Sequence, residues 1–176
     1  KTEIDKFIGS LPFKLTDSQI TAIKEISNDL TKDFPMNRLL EGDVGSGKTV
    51  VAAAAAFAVF LNGFQTIIMA PTQILANQHY ETFKQLLTPF GVRISLITSD
   101  LKKSDLGRND VFIGTHALIH SKIAFGKVGL VVIDEQHRFG VEQRKHLVKK
   151  IGDSPHTNHD SNTHPKNGCT NFIWGS

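Results

Sequence analysis

The chain has 176 residues, a net charge of +3 and 40% hydrophobic residues. That is enough for one domain with a proper core, and too mild a charge to mark a nucleic-acid binder by itself. The single Cys169 excludes an internal disulfide framework. Val51 to Leu61 is too short an apolar run to cross a bilayer and no signal peptide is visible, so the expectation is a cytoplasmic protein without a membrane partner.

In chain order, the first element is a helix opened by Thr16-x-x-Gln19, a capping-box spacing, and running to about Lys32. Asn37 to Glu41 is a short strand. The stretch Gly42 to Thr49 reads G-D-V-G-S-G-K-T, and Val50 to Asn62 is an Ala-rich helix, apolar almost all round, with Gly63 as its stop. Phe64 to Ala70 is a strand that Pro71 ends. Gln73 to Leu87 has helical spacing in Ile74, Leu75, Phe83, Leu86 and Leu87. Val92 to Thr98 and Val111 to Gly114 are strands, followed by a helical turn at Ala117 to Ser121. Val128 to Ile133 is a continuous apolar run, as a strand buried on both faces requires, and Val141 to Lys150 is a further helix. Alternating strands and helices predict an α/β fold: a RecA-like P-loop NTPase domain, its parallel sheet carrying helices on both faces.

Two motifs carry the chemistry. The first has the form G-x-x-x-x-G-K-[ST], a Walker A loop between a strand and a helix. Backbone N–H groups at a helix N-terminus, together with the helix dipole, suit a polyphosphate. Gly42, Gly45 and Gly47 let the backbone of Gly42, Asp43, Val44, Gly45, Ser46 and Gly47 curl close to it. Lys48 can reach the β- and γ-phosphates, and the Thr49 hydroxyl can ligate Mg²⁺. The second motif, D-E-Q-H from Asp134 to His137, follows the apolar run and lies at the carboxyl end of a strand, where ligands sit in open α/β sheets. Asp134 suits Mg²⁺, and Glu135 suits orienting and deprotonating an attacking water. Together they predict ATP and Mg²⁺ as cofactors.

The second motif continues as D-E-Q-H-R-F-G-V-E-Q-R to Arg144. With G-D-V-G-S-G-K-T, M-A-P-T-Q-I-L-A-N-Q-H (Met69 to His79) and G-T-H-A-L-I (Gly114 to Ile119), the chain closely resembles the RecG family over roughly Phe7 to His156. These are ATP-dependent DNA helicases and translocases of superfamily two that remodel stalled forks and branched DNA in recombination and repair. The resemblance implies the first RecA-like motor lobe at residues 11–156, with 1–10 as the end of a linker from a wedge domain. It implies as partners branched DNA, gripped without sequence readout, and the second RecA-like lobe and wedge of the full-length protein, in a monomer. It places Phe13, Thr16 and Gln19 in the adenine-reading segment, Lys48 on phosphate, Asp134 and Glu135 as hydrolytic acids, and Gln136 and His137 as residues coupling nucleotide state to the motor. Pro71, Thr72, Gln78, His79, Gly114, Thr115 and His116 match segments that touch the DNA backbone, which hydroxyls and amides can grip without reading bases. From the residues alone, capping at strand ends accounts equally well for Thr72 and Thr115.

The chain departs from the family pattern in three places. Gln73 stands where the family usually has Glu, and Leu101 to Asn109 is too short for the usual helix-bearing crossover. From Thr157 the tail shows no apolar strand, so one sheet edge is expected to be exposed. Codons compatible with Thr157 to Trp174, read one base later, permit L-I-M-T-A-T-P-I-P-R-T, the motif the family carries here. The tail, 157–176, therefore reads as this region out of frame. Sequencing the encoding DNA should return such codons; codons forbidding M-T-A-T-P would remove the idea. His156, His159, His164 and Cys169 could ligate Zn²⁺, but their spacing matches no well-known site. Three other readings stand beside the helicase lobe. One is a transcription-repair coupling translocase, whose motif tends to read D-E-E-Q-R-F-G. Another is a P-loop kinase, which would lack A-P-T-x-I-L-A and D-E-Q-H, or a GTPase, against which the absence of N-K-x-D speaks. The third is a non-catalytic module that only docks DNA or nucleotide.

Overall fold

The computed structural model describes residues 2–30, 37–41, 45–98, 109–121, 123–134, 146, 149 and 170–175. Its centre is a six-stranded sheet in which every neighbouring pair is parallel. The strands are β1 (Asn37–Glu41), β2 (Gln65–Met69), β3 (Ile94–Ile97), β4 (Val111–Gly114), β5 (Val128–Asp134) and β6 (Thr170–Gly175), in the spatial order β1-β6-β5-β2-β4-β3. The helices are α1 (Glu3–Ser10), α2 (Asp17–Asp29), α3 (Lys48–Leu61), α4 (Gln73–Leu87) and the single turn α5 (Ala117–His120). His146 and Lys149 are helical, and the rest of the helix expected over 141–150 lies outside the described residues. Among the described residues no helix is long and apolar enough to cross a membrane.

Period-two alternation sorts the central strands between two cores. Ile68, Val111, Ile113, Leu130 and Val132 face the larger core with α1 to α4; Ile67, Met69, Phe112, Val131 and Ile133 face a smaller one with α5 and Ile123 to Phe125. The Ala-rich helix is buried from Val50 through Val59, as its composition predicts: small side chains let it lie close against the sheet. On the second face the Phe112 and Phe125 rings meet edge-on at 5.2 Å.

Two expectations are corrected here. Within residues 1–10, read as linker, Glu3–Ser10 form α1 and pack in the lobe's larger core. Thr2 and Asp5 make a reciprocal capping box at the start of this helix. Phe7 is fully buried, its ring 5.3 Å from Phe57 and 5.6 Å from Phe90. The second correction concerns the tail. It does supply a strand: β6 pairs Asn171 with Asn37 on one side and with Val131 on the other. The run N-F-I-W has the aromatic and β-branched residues that favour extended backbone, and the slot between β1 and β5 offers unpaired groups on both sides. The sheet's edges are therefore β1 and β3.

The short connection before β4 is met by a tight tether at its described ends. Arg93 donates its backbone N–H and its Nε–H to Asp110 Oδ2, and Nη2 to Oδ1, at 2.8–3.0 Å. The Asp110 hydrogen bond holds the Arg93 guanidinium above its ordinary range. A raised pKa on a cation contributes stability below its unfolded value and loses it only as pH climbs through the folded one, so this arginine adds no pH dependence near neutrality. Gln65 joins the next connection: it donates to Asn109 O at 2.8 Å and accepts from Gly126 N at 2.6 Å. β3 and β4 pair in parallel, and residues 99–108 of the connection between them lie outside the described residues.

Candidate nucleotide and DNA site

Parallel strands bring all their carboxyl ends to one edge. Glu41 at the end of β1 pairs with Gly175, Trp174 pairs with Asp134, Ile133 with Met69, and Met69 with Gly114. The loop after β1, the acid ending β5, and the segments after β2 and β4 therefore emerge side by side.

Within the first motif, Gly45 (φ +85°) and Gly47 (φ +77°) adopt the left-handed conformation that favours glycine. Gly47 is the N-cap of α3 and makes no side-chain cap, which leaves the helix N-terminus to backbone N–H groups. Lys48 and Thr49 begin α3 and are half-buried. Gly42, Asp43 and Val44, and on the other side Glu135, Gln136 and His137, lie outside the described residues.

Gln19 is engaged at both ends of its amide. Its Oε1 accepts from Thr16 N at 2.9 Å, completing the α2 capping box, and its Nε2 donates to Ser46 O at 2.9 Å. Expected as a reader of the base edge, this amide instead ties α2 to the phosphate loop. A Cβ on Gly47 would come 2.2 Å from Gln19 Nε2, so the glycine also makes room for the tether. Phe13 is half-exposed and lines an open hollow of about 470 Å³ with Ile8, Leu11, Lys14 and Ile20, a place where an aromatic face is available for stacking.

Asp134 is buried, with His79 Nε2 2.7 Å from its Oδ2. This departs from the expectation for His79, which was placed with the DNA-contacting segment. Ala76, His79, Phe83 and Leu87 form the buried stripe of α4, so His79 is turned to the sheet and away from solvent. The alternation of β5 puts Asp134 on the face of Leu130 and Val132, the face α4 covers. Both patterns were present in the sequence; their meeting was not.

Of the other DNA-segment residues, Thr72, Gln78 and His116 are exposed, Pro71 and Thr115 are half-buried, and Gly114 is buried. Thr72 Oγ1 accepts from Leu75 N at 3.3 Å and caps α4, and Thr115 Oγ1 accepts from Ala117 N at 3.4 Å. Capping is therefore a role of the Thr72 hydroxyl, and the Thr115 hydroxyl closes a local turn before α5. Gly114 departs from expectation too: it is held at the sheet by packing, since a Cβ there would lie 2.7 Å from Ile97 O. No cluster of three or more metal-ligating side chains occurs among the described residues, and His156, His159, His164 and Cys169 lie outside them.

The sequence profile of the DEAD/DEAH box helicases matches residues 16–167. The chain belongs to the DEAD/DEAH box helicase family. Within this family of ATP-hydrolysing helicases its lobe is of the RecG type. It is 52% identical over 154 residues to the ATP-dependent DNA helicase RecG of Aquifex aeolicus (strain VF5), covering 82% of this chain and 19% of that one. It is 47% identical over 157 residues to RecG of Bacillus subtilis (strain 168), covering 84% and 23%. A structure of RecG bound to a three-way DNA junction superposes with a TM-score of 0.75 at 39% identity, over 97% of this chain and 22% of that one. The chain thus spans about a fifth of the length of these relatives. The alternatives read from the sequence, a coupling-factor translocase and a kinase or GTPase, are not favoured by these likenesses.

Proposed function

We propose that this DEAD/DEAH box lobe binds MgATP at the carboxyl edge of its sheet and forms the ATP-binding half of a RecG-type motor that moves on branched DNA. The observation carrying this is the convergence, at one edge, of the α3 N-terminus, Asp134 and the segments after β2 and β4. Thr49 and Asp134 offer a hydroxyl and a carboxylate, hard oxygen donors that suit Mg²⁺, and α3 packs on β5 and β2. Bound there, the cation would offset phosphate charge. Lys48 would hold the β- and γ-phosphates, Phe13 would stack on the base, and Glu135 would orient the attacking water. Thr72, Gln78 and His116, exposed beside this site, would grip DNA phosphates without reading sequence. The RecG of the three-way-junction structure has such a branched DNA as its partner, and this supports the same class of partner here.

A superfamily-two motor places ATP in a cleft between two lobes, the second supplying arginine that stabilises the transition state. Without that arginine the rate falls by about 10³-fold or more. These 176 residues should therefore bind nucleotide weakly and hydrolyse it slowly. Steady-state ATP hydrolysis by the chain, with and without three-way-junction DNA, is the test. The expected turnover is close to that of a Lys48→Ala control; robust turnover abolished by Lys48→Ala would overturn the half-site reading. Parallel nucleotide and DNA titrations separate this reading from a non-catalytic DNA-docking module, for which only DNA would bind.

A further inference from the structure

We propose that His79 is a positioning residue that fixes the Asp134 carboxylate for the nucleotide-bound divalent cation. The inference rests on the MgATP reading above, and concerns a residue that neither of the two motifs contains.

Asp134 ends β5, where the sheet pairing gives out and the side chain can turn about two torsions. His79 reaches it from α4, 55 residues earlier in the chain, with the imidazole Nε2–H donating to Oδ2 at 2.7 Å. Both side chains are about nine-tenths buried. Burial strengthens the contact, because little water is available to exchange with either partner. A carboxylate held by one oxygen has its plane set, and so presents the other in a defined direction. This is how partners in the outer shell of metal sites act, and their loss typically lowers metal affinity by about 10–100-fold.

The fold also shows why a histidine stands at this position. Along the buried stripe of α4, Phe83 and Leu87 meet apolar neighbours in the larger core. His79 occupies the same stripe, and the strand residue facing it is the acid after Val132 and Ile133. An apolar side chain here would leave a buried carboxylate oxygen without this donor, an unfavourable arrangement. A solvent-facing histidine on a DNA-binding surface would need none of this burial.

The test uses the chain itself with Mn²⁺ as the probe, followed by electron paramagnetic resonance in the presence of saturating ATP. His79→Ala should weaken Mn²⁺ binding by about 10–100-fold, while binding of a fluorescent ATP analogue in EDTA stays within about twofold of the parent. His79→Gln, whose amide can donate from a similar distance, should recover part of the Mn²⁺ affinity and guards against a failure of the alanine variant to fold. Unchanged Mn²⁺ affinity in a folded His79→Ala chain would overturn the proposal and leave the MgATP reading standing. An equal loss of nucleotide affinity in EDTA would also overturn it, by making the role purely structural. If the parent chain with ATP holds no Mn²⁺ and Asp134→Ala changes nothing, the MgATP reading itself fails, and the proposal with it.

Discussion

Phe7→Ala is expected to lower the stability of the lobe by about 3–5 kcal/mol, the usual cost of emptying a fully buried aromatic site. The ring is 0% exposed and sits between Phe57 of α3 and Phe90 in the turn after α4, which themselves lie 5.1 Å apart. Removing it leaves a cavity where α1, α3 and the turn after α4 meet. Against a typical total stability of about 5–15 kcal/mol, this is a fifth or more of what holds the domain together. At roughly 2–4 °C per kcal/mol for a chain of this size, the melting temperature should fall by about 6–20 °C. Thermal unfolding followed by circular dichroism reads it directly. Gly9→Ala is the matched control on the same helix: nothing lies within 4 Å of its new Cβ, so it should stabilise slightly, by about 0.5–1 kcal/mol. A melting temperature unmoved by Phe7→Ala would restore residues 1–10 to the status of a linker.

Gly114→Ala should cost about 1–3 kcal/mol, the range for forcing an extra methyl into a packed interior. The added Cβ would meet Ile97 O at 2.7 Å, Leu118 Cγ at 3.1 Å and Ile97 Cβ at 3.2 Å. The nearest of these is backbone of the adjoining strand, which moves only by loosening the β3–β4 pairing. The result separates two roles for a residue inside a DNA-segment motif. A pure packing role lowers the melting temperature by roughly 2–12 °C, with DNA binding by the folded fraction unchanged. A contact role weakens junction binding with no change in melting. The first outcome is expected, because Gly114 is buried, whereas Thr72, Gln78 and His116 beside it are exposed.

How far the residues disclosed the site differs from one part to the next. Of the glycine loop, the backbone bends at Gly45 and Gly47 were legible. The spacing G-x-x-x-x-G-K-T names its glycines and its lysine, and positive φ at Gly45 and Gly47 is what such a loop needs. The run Val128 to Ile133 likewise announced a buried strand delivering an acid. Gln19 was half legible: T-x-x-Q predicts the capping box, but a helix cap is local, and nothing local tells that the same amide reaches Ser46, 27 residues on. The amino-terminal helix was missed because α1 has eight residues, too few for the periodicity of its apolar residues to stand out. In the tail, the four aromatic or β-branched residues of β6, Thr170, Phe172, Ile173 and Trp174, sat within a polar stretch and gave no pattern of their own. They form a strand because two flanking strands supply the hydrogen-bonding partners.

By itself the sequence determined the α/β class, the RecG-type resemblance, the phosphate loop and the acid that faces it. These follow from short-range spacing: periods of two and 3.6 say which side of an element is buried, and a glycine pattern says where backbone can bend. Tertiary structure decided what each buried side faces. That His79 of α4 ends on Asp134 of β5, and that β6 closes the gap between β1 and β5, depend on the strand order β1-β6-β5-β2-β4-β3. Strand order is set by which long-range pairings bury the most surface and satisfy the most backbone groups together, and no local spacing encodes that sum.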